Sequence, residues 1–191
     1  MIYLASQSPR RAELLRQIGV EHKVHASDID ESRLDSEPPD EYVCRMAQTK
    51  ARVAFAELSG VHENCVVLAA DTTIEVDGDI IGKPSDTDHC SCILRKLSGR
   101  QHQVLTAVAL ATAEGLDYRL TRNSVSFRDL SDTEIEAYCA SAEPMDKAGA
   151  YAIQGKAAVF IDRLEGSYSS VMGLPLLETA QLLGEAAIEI F

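Results

Sequence analysis

Asp71 closes an apolar run, "CVVLAAD", residues 65 to 71. A carboxylate at the end of a buried strand is placed to hold a divalent cation or to take a proton from water, because ligands of α/β proteins gather at strand carboxyl ends. The plain alternative is an aspartate that opens the next turn and bonds to Thr72 or Thr73. "DIDES", with Asp28, Asp30 and Glu31, offers further carboxylates; as a run of charge it also reads as a solvated loop.

Cations gather at three other places. In "LASQSPRRAELL", residues 4 to 15, Ser8 before Pro9 predicts a helix start with Arg10 and Arg11 in its first turn. A helix N-terminus carries partial positive charge, so two cations there are misplaced unless an anion joins them. The free backbone N–H groups, the hydroxyls of Ser6 and Ser8 and two guanidiniums would then converge on phosphate. Arginines pointing into water are the alternative. Lys50 shares a helix face with Val43, Met46, Ala47 and Ala54. It either snorkels past the core edge or projects its ammonium toward an anion. Lys83 stands in "GKP", residues 82 to 84, after a hairpin, and gains interest only if the other cations converge with it. No G-x-x-x-x-G-K-[ST] pattern occurs in the chain, so this is not a P-loop.

"DKAGAYAIQG", residues 146 to 155, combines two glycines with Tyr151 and Gln154. A glutamine amide both donates and accepts, as the edge of a base requires, and glycine lets the backbone come close. A tight turn packed on the core is the competing reading. "SYSSVMGLP", residues 167 to 175, is a second small-residue segment before a helix opening at Pro175.

The elements that must position these groups are legible in outline. A short strand precedes the Ser8 helix, and a helix over about residues 40–58 carries Lys50. The apolar run ending at Asp71 reads as a buried strand, and "TIEVDGDII" as a hairpin about Asp77-Gly78. A helix over residues 85–98 is capped by Ser85, and another is capped by Ser131 with Glu134. Strands are predicted over 102–112, 118–127 and 157–166, with a closing helix over 174–191. Helices alternating with hairpins and long apolar strands predict an α/β or α+β fold around a mixed sheet.

The 191 residues suit one domain, or two small lobes sharing a sheet. A net charge of −12 argues against nucleic-acid binding, which relies on basic surface. No apolar run has the length of a membrane span, and no secretion signal is visible. The odd count of five cysteines predicts reduced thiols in a cytoplasmic protein. Cys90 falls on an apolar stripe with Ile93, Leu94 and Leu97, so core packing is favoured over metal binding there.

The segments "LASQSPRRAELL", "DIDE", "KA" at 50–51, "AADTTI", "GKP", "LSGRQHQVLTAVAL", "EPMDKAGAYAIQG" and "GSYSSVMGLPLLET" run in order over nearly the whole chain. Together they resemble the Maf family of nucleotide pyrophosphatases. The resemblance implies a single domain over residues 1–191. It implies a two-lobed mixed α/β fold, an elongated mixed sheet flanked by helices, akin to the inosine triphosphate pyrophosphatases, with an active-site cleft between lobes. It implies hydrolysis of a nucleoside triphosphate to the monophosphate and pyrophosphate with Mg²⁺ or Mn²⁺. Asp71 is then the base and, with Glu31, a metal ligand; Ser6, Ser8, Arg10, Arg11, Lys50 and Lys83 bind the triphosphate. Arg11, Thr72 and Gln154 resemble the branch that acts on dTTP and UTP. The 7-methyl-GTP branch tends to carry Glu where Gln154 stands, which suits a cationic purine better than a neutral pyrimidine. A 7-methyl-GTP enzyme and a non-catalytic nucleotide-binding regulator of cell division are the rival expectations. The expected partner is a nucleoside triphosphate, with no nucleic acid or membrane. The family also allows a homodimer, which no motif in the chain dictates.

Overall fold

A computed structural model of the chain describes residues 1–62, 64–141 and 143–190. Its strands are β1 (Ile2–Leu4), β2 (His22–Val24), β3 (Val66–Val76), β4 (Asp79–Ile81), β5 (Gln101–Thr112), β6 (Gly115–Phe127) and β7 (Ile161–Glu165). Its helices are α1 (Pro9–Gln17), α2 (Pro39–Ser59), α3 (Thr87–Leu97), α4 (Asp132–Cys139), α5 (Tyr168–Val171) and α6 (Leu176–Glu185). Three 3-10 turns cover Glu143–Asp146, Ala148–Ala150 and Lys156–Phe160. The strands join in one sheet in the order β2-β1-β3-β5-β6-β7, with β4 on β3. β1 is parallel to β2 and β3, whereas β3·β4 and β6·β7 are antiparallel, so the sheet is mixed as expected.

The chain forms two compact units. The first comprises Met1–Asp71, Thr106–Thr121 and Gly173–Phe191, and the second Thr72–Leu105 and Arg122–Met172. In the first, β1 and the start of β3 are apolar on both faces, as parallel strands covered on both sides require. Helix α2 opens with Pro39 and has Asp40 and Glu41 in its first turn, which suits the helix dipole. Val43, Met46, Ala47, Ala51, Ala54 and Leu58 are its buried stripe.

The core of the second unit joins Ile74, Leu94, Leu97, Val104, Val125 and Ile135 to an aromatic group. Phe127 packs edge-on against His102, Tyr151 and Phe160, and Tyr138 against Phe160. Helices α3 and α4 are linked by a disulfide between Cys90 and Cys139. Cys90 does lie in the predicted apolar stripe, but the expectation of reduced thiols fails for this pair. The two cysteines lie 49 residues apart in sequence, and only the packing of α3 on α4 brings them together. Cys44, Cys65 and Cys92 take no part in that disulfide.

Four boundaries differ from the sequence reading. β3 does not end at Asp71 but continues to Val76, because Thr72-Thr73-Ile74-Glu75-Val76 keeps the β-branched pattern of a strand. The predicted hairpin then follows, with Asp77 and Gly78 both at positive φ. Helix α3 is capped by Asp86 instead of Ser85: its carboxylate accepts from the His89 N–H at 2.7 Å, a stronger acceptor than a hydroxyl at a helix start. Residues 156–160 wind into a 3-10 turn before β7, and α6 stops at Glu185. Ser131 and Glu134 form the expected capping box of α4.

Candidate active site

Helix α1 begins as the sequence predicts, with extended Ser8 at its N-cap and Pro9 as its first residue. The Ser8 side chain makes no capping bond. The buried Ser6 hydroxyl instead receives the Ser8 N–H at 3.2 Å and Arg11 Nη1 at 3.1 Å. Arg11 Nε donates to the Gly173 carbonyl at 2.7 Å. The guanidinium is thus held at two points, by the Ser6 hydroxyl and the Gly173 carbonyl. Burial, more than any other influence, pulls the Arg11 pKa below its ordinary value; Asp71 opposes that, Arg10 adds to it, and Glu31 opposes it. An anion arriving beside Arg10 and Arg11 would act in the sense of the two carboxylates. The first turn of α1 itself carries no acidic residue.

Lys50 projects from the buried face of α2. Its Nζ lies 2.8 Å from Asp71 Oδ1 and 2.6 Å from Glu31 Oε1. The side chains of Lys50 and Asp71 are 15% and 14% exposed, whereas Glu31 is 54% exposed. A largely desolvated ion pair therefore meets a carboxylate that reaches it from solvent. Asp71 sits in mid-strand, where the burial of β3 slackens on both faces at Asp71 and Thr72.

Sequence reasoning missed what holds Glu31. The "DSEPPDE" stretch reads as a linker, yet Glu37 within it is buried. Arg45 of α2 grips Glu37 with Nε and Nη2 at 2.6 and 2.7 Å, and Nη2 also donates to the Ser32 carbonyl. That grip holds the Glu37 carboxyl below the usual carboxylate range. The Tyr42 hydroxyl donates to the Glu31 carbonyl at 3.1 Å. Its own pKa is pushed up to about 12, by burial first and then by Asp71 and Glu31. Arg45 and Tyr42 thus fasten the carboxylate loop to the helix that carries Lys50. An acid eight residues before an arginine was the only trace of this in the sequence.

Ser6, Arg10, Arg11, Glu31, Lys50 and Asp71 therefore belong to the first unit, with direct contacts linking Ser6 to Arg11 and Lys50 to both Glu31 and Asp71. Ser8 joins them through its backbone. Thr72, Lys83 and Gln154 belong to the second unit. Lys83 is exposed after β4, and the neighbouring Gly82 carbonyl accepts the Gly149 N–H at 3.0 Å, tying "GKP" to "DKAGAY". Gly149 needs its positive φ of 70°, and a side chain there would run into Ile74. Gln154 is exposed in a turn closed by the Gly155 N–H on the Ala152 carbonyl at 3.0 Å.

Among the described residues, no group of three or more His, Cys, Asp or Glu is arranged to hold a metal ion. Asp71 and Glu31 do form a pair of carboxylates drawn to one cation, here the Lys50 ammonium. Mg²⁺ is commonly bound by one or two carboxylates plus substrate phosphates, so the donor chemistry fits that ion. Among the described residues, no helix is long and apolar enough to cross a membrane.

Residues 1–186 match the model of the Maf-like protein family. The chain is 50% identical over 199 residues to the dTTP/UTP pyrophosphatase of Nitrosomonas europaea, covering 100% of this chain and 96% of that protein. It is 51% identical over 190 residues to the enzyme of that name from Hahella chejuensis, covering 100% and 94%. With that of Aromatoleum aromaticum it shares 52% over 194 residues, covering 95% and 93%. A solved nucleoside-triphosphatase / dITP/XTP pyrophosphatase of Mycobacterium abscessus is 17% identical, with a TM-score of 0.48 over 97% of this chain and 95% of that one. The motifs that meet at Asp71 and Arg11 are thus part of an agreement that runs the length of the chain, which belongs to the Maf-like protein family.

Proposed function

We propose that the protein hydrolyses dTTP and UTP, or modified pyrimidine nucleotides, to the monophosphate and pyrophosphate, with residues 1–191 acting as one functional domain. The observation that carries this reading is the Lys50 ammonium bridging Asp71 and Glu31 in the unit that also holds Arg10 and Arg11. Full-length identity of about half to relatives named dTTP/UTP pyrophosphatase supports the substrate.

In the reaction, water attacks the α-phosphorus, the bond to the bridging oxygen breaks, and pyrophosphate leaves. Asp71 takes the proton from water. Negative charge spreads over the phosphoryl oxygens as the bond breaks, so most of the catalysis is positioning and charge stabilisation. Arg10, Arg11, Lys50 and Lys83 bind the phosphates; the Ser6 and Ser8 hydroxyls add donors. Lys50 turns from carboxylate to phosphate as substrate binds, and Asp71 and Glu31 are the residues that would hold Mg²⁺ or Mn²⁺. The bound ion would neutralise phosphate charge and make water more acidic. Arg11, Thr72 and Gln154 select the base; a neutral amide at Gln154 suits an uncharged pyrimidine edge better than a methylated cationic purine.

The triphosphate pool and the absence of a membrane-length apolar helix among the described residues favour the cytoplasm. The Cys90–Cys139 bridge runs the other way, since stable disulfides are rare there. Neither nucleic acid nor membrane has a part in this reading. A screen of normal and modified nucleoside triphosphates with Mg²⁺, reporting pyrophosphate, tests it. Release from dTTP and UTP above all others is expected; preference for 7-methyl-GTP, or binding without turnover, would overturn it.

A further inference from the structure

Gln154 stands in the turn Ala152–Gly155, and both ends of that turn rest on one pair of side chains. At the entry, the Ala152 N–H donates to the Tyr138 hydroxyl at 3.3 Å. At the exit, the Lys156 N–H is shared by the Glu143 carboxylate oxygens at 2.9 and 3.2 Å. The pair is closed on itself, because the Tyr138 hydroxyl donates to Glu143 Oε1 at 3.0 Å. Tyr138 is buried on α4 and packs edge-on against Phe160. Glu143 begins the next 3-10 turn. The Gly155 backbone lies so close to Glu143 that any side chain at 155 would overlap the carboxylate. Burial first, then Glu143, raises the Tyr138 pKa, so the hydroxyl keeps the proton that it donates.

An exposed glutamine on a free turn would choose poorly between bases, since each orientation lost on binding costs entropy. We propose that Tyr138 and Glu143 are positioning residues for substrate choice: together they fix both ends of the turn and so aim the Gln154 amide. This rests on Gln154 reading the base. Glu143 and Tyr138 touch neither phosphate nor base in this role, and act only through the turn.

The test compares kcat/KM for dTTP and 7-methyl-GTP in the full chain and in Tyr138→Phe, Glu143→Gln, Gln154→Ala and the two double variants. Tyr138→Phe removes a single hydroxyl and serves if Glu143→Gln folds poorly; thermal melting checks both. Each tether variant is expected to lower the dTTP preference about tenfold, the scale of one hydrogen bond to a charged group. In the Gln154→Ala background the same substitutions are expected to leave the preference within about twofold. Equal loss on both nucleotides, or a full loss of preference that persists without Gln154, would overturn the tether. If Gln154→Ala alone leaves the preference unchanged, the base-reading role fails and the tether with it.

Discussion

Arg11 shows how one side chain can serve two ends. Its fork meets the Ser6 hydroxyl and the Gly173 carbonyl from two separate nitrogens, a planar geometry that the single ammonium of lysine does not reproduce. Arg11→Lys keeps the charge yet is expected to lower kcat/KM for dTTP about tenfold or more, read from pyrophosphate release. If Gln154 reads the base as proposed, Gln154→Glu places a negative charge at a neutral base edge and is expected to reduce dTTP and UTP hydrolysis selectively against 7-methyl-GTP. His102 supplies a prediction about stability. It is buried in β5, its Nε2 is 2.8 Å from the Tyr151 hydroxyl, and its Nδ1 has no partner among the described residues. Burial lowers its pKa to about 4. The unfolded chain binds the proton more tightly, so His102 contributes fully to stability above about pH 6.5 and loses that contribution as the pH falls toward 4. The loss amounts to roughly 3 kcal/mol. Unfolding by urea between pH 7.5 and 4.5 is expected to show this slope, and His102→Asn to flatten it.

At the scale of elements, α3 and α4 carry the Cys90–Cys139 bridge, and α4 also carries Tyr138. Closing a 49-residue separation is worth about 4 kcal/mol by loop entropy, with 2–4 usual in practice. Dithiothreitol is expected to lower the melting temperature by about 10 °C. Thiol titration of the denatured, unreduced chain should find three reactive thiols, the five cysteines less the bridged pair; five would show that the pair is reduced. The sequence named Cys90 as core from its spacing with Ile93, Leu94 and Leu97, since helical period is a local property. It could not name Cys139 as its partner, since that contact depends on how two helices meet. The same divide runs through the site. Ser8-Pro9 and the Lys50 stripe were legible because caps and periodicity are written within a few residues. The hold of Arg45 on Glu37 was not, because a buried glutamate in an acidic, proline-rich loop looks solvated until its partner is seen. Asp71 was found as a residue and misplaced as a position: an acid after an apolar run suggests an end, whereas the following threonines carry the strand on.

For the molecule as a whole, a net charge of −12 sets an unfavourable field for any polyanion that the proposed site binds. In the proposed reaction Arg10, Arg11 and Lys50 attract a polyanion locally against that field, and Asp71 stays charged to accept a proton. Removing that charge while keeping the shape isolates the claim. Asp71→Asn, assayed for pyrophosphate release from dTTP and UTP with Mg²⁺, is expected to lose about 10²- to 10⁴-fold in kcat. It should still bind the nucleotide and melt near the wild-type temperature. Turnover within a few-fold of wild type would contradict the assignment of Asp71 as the base.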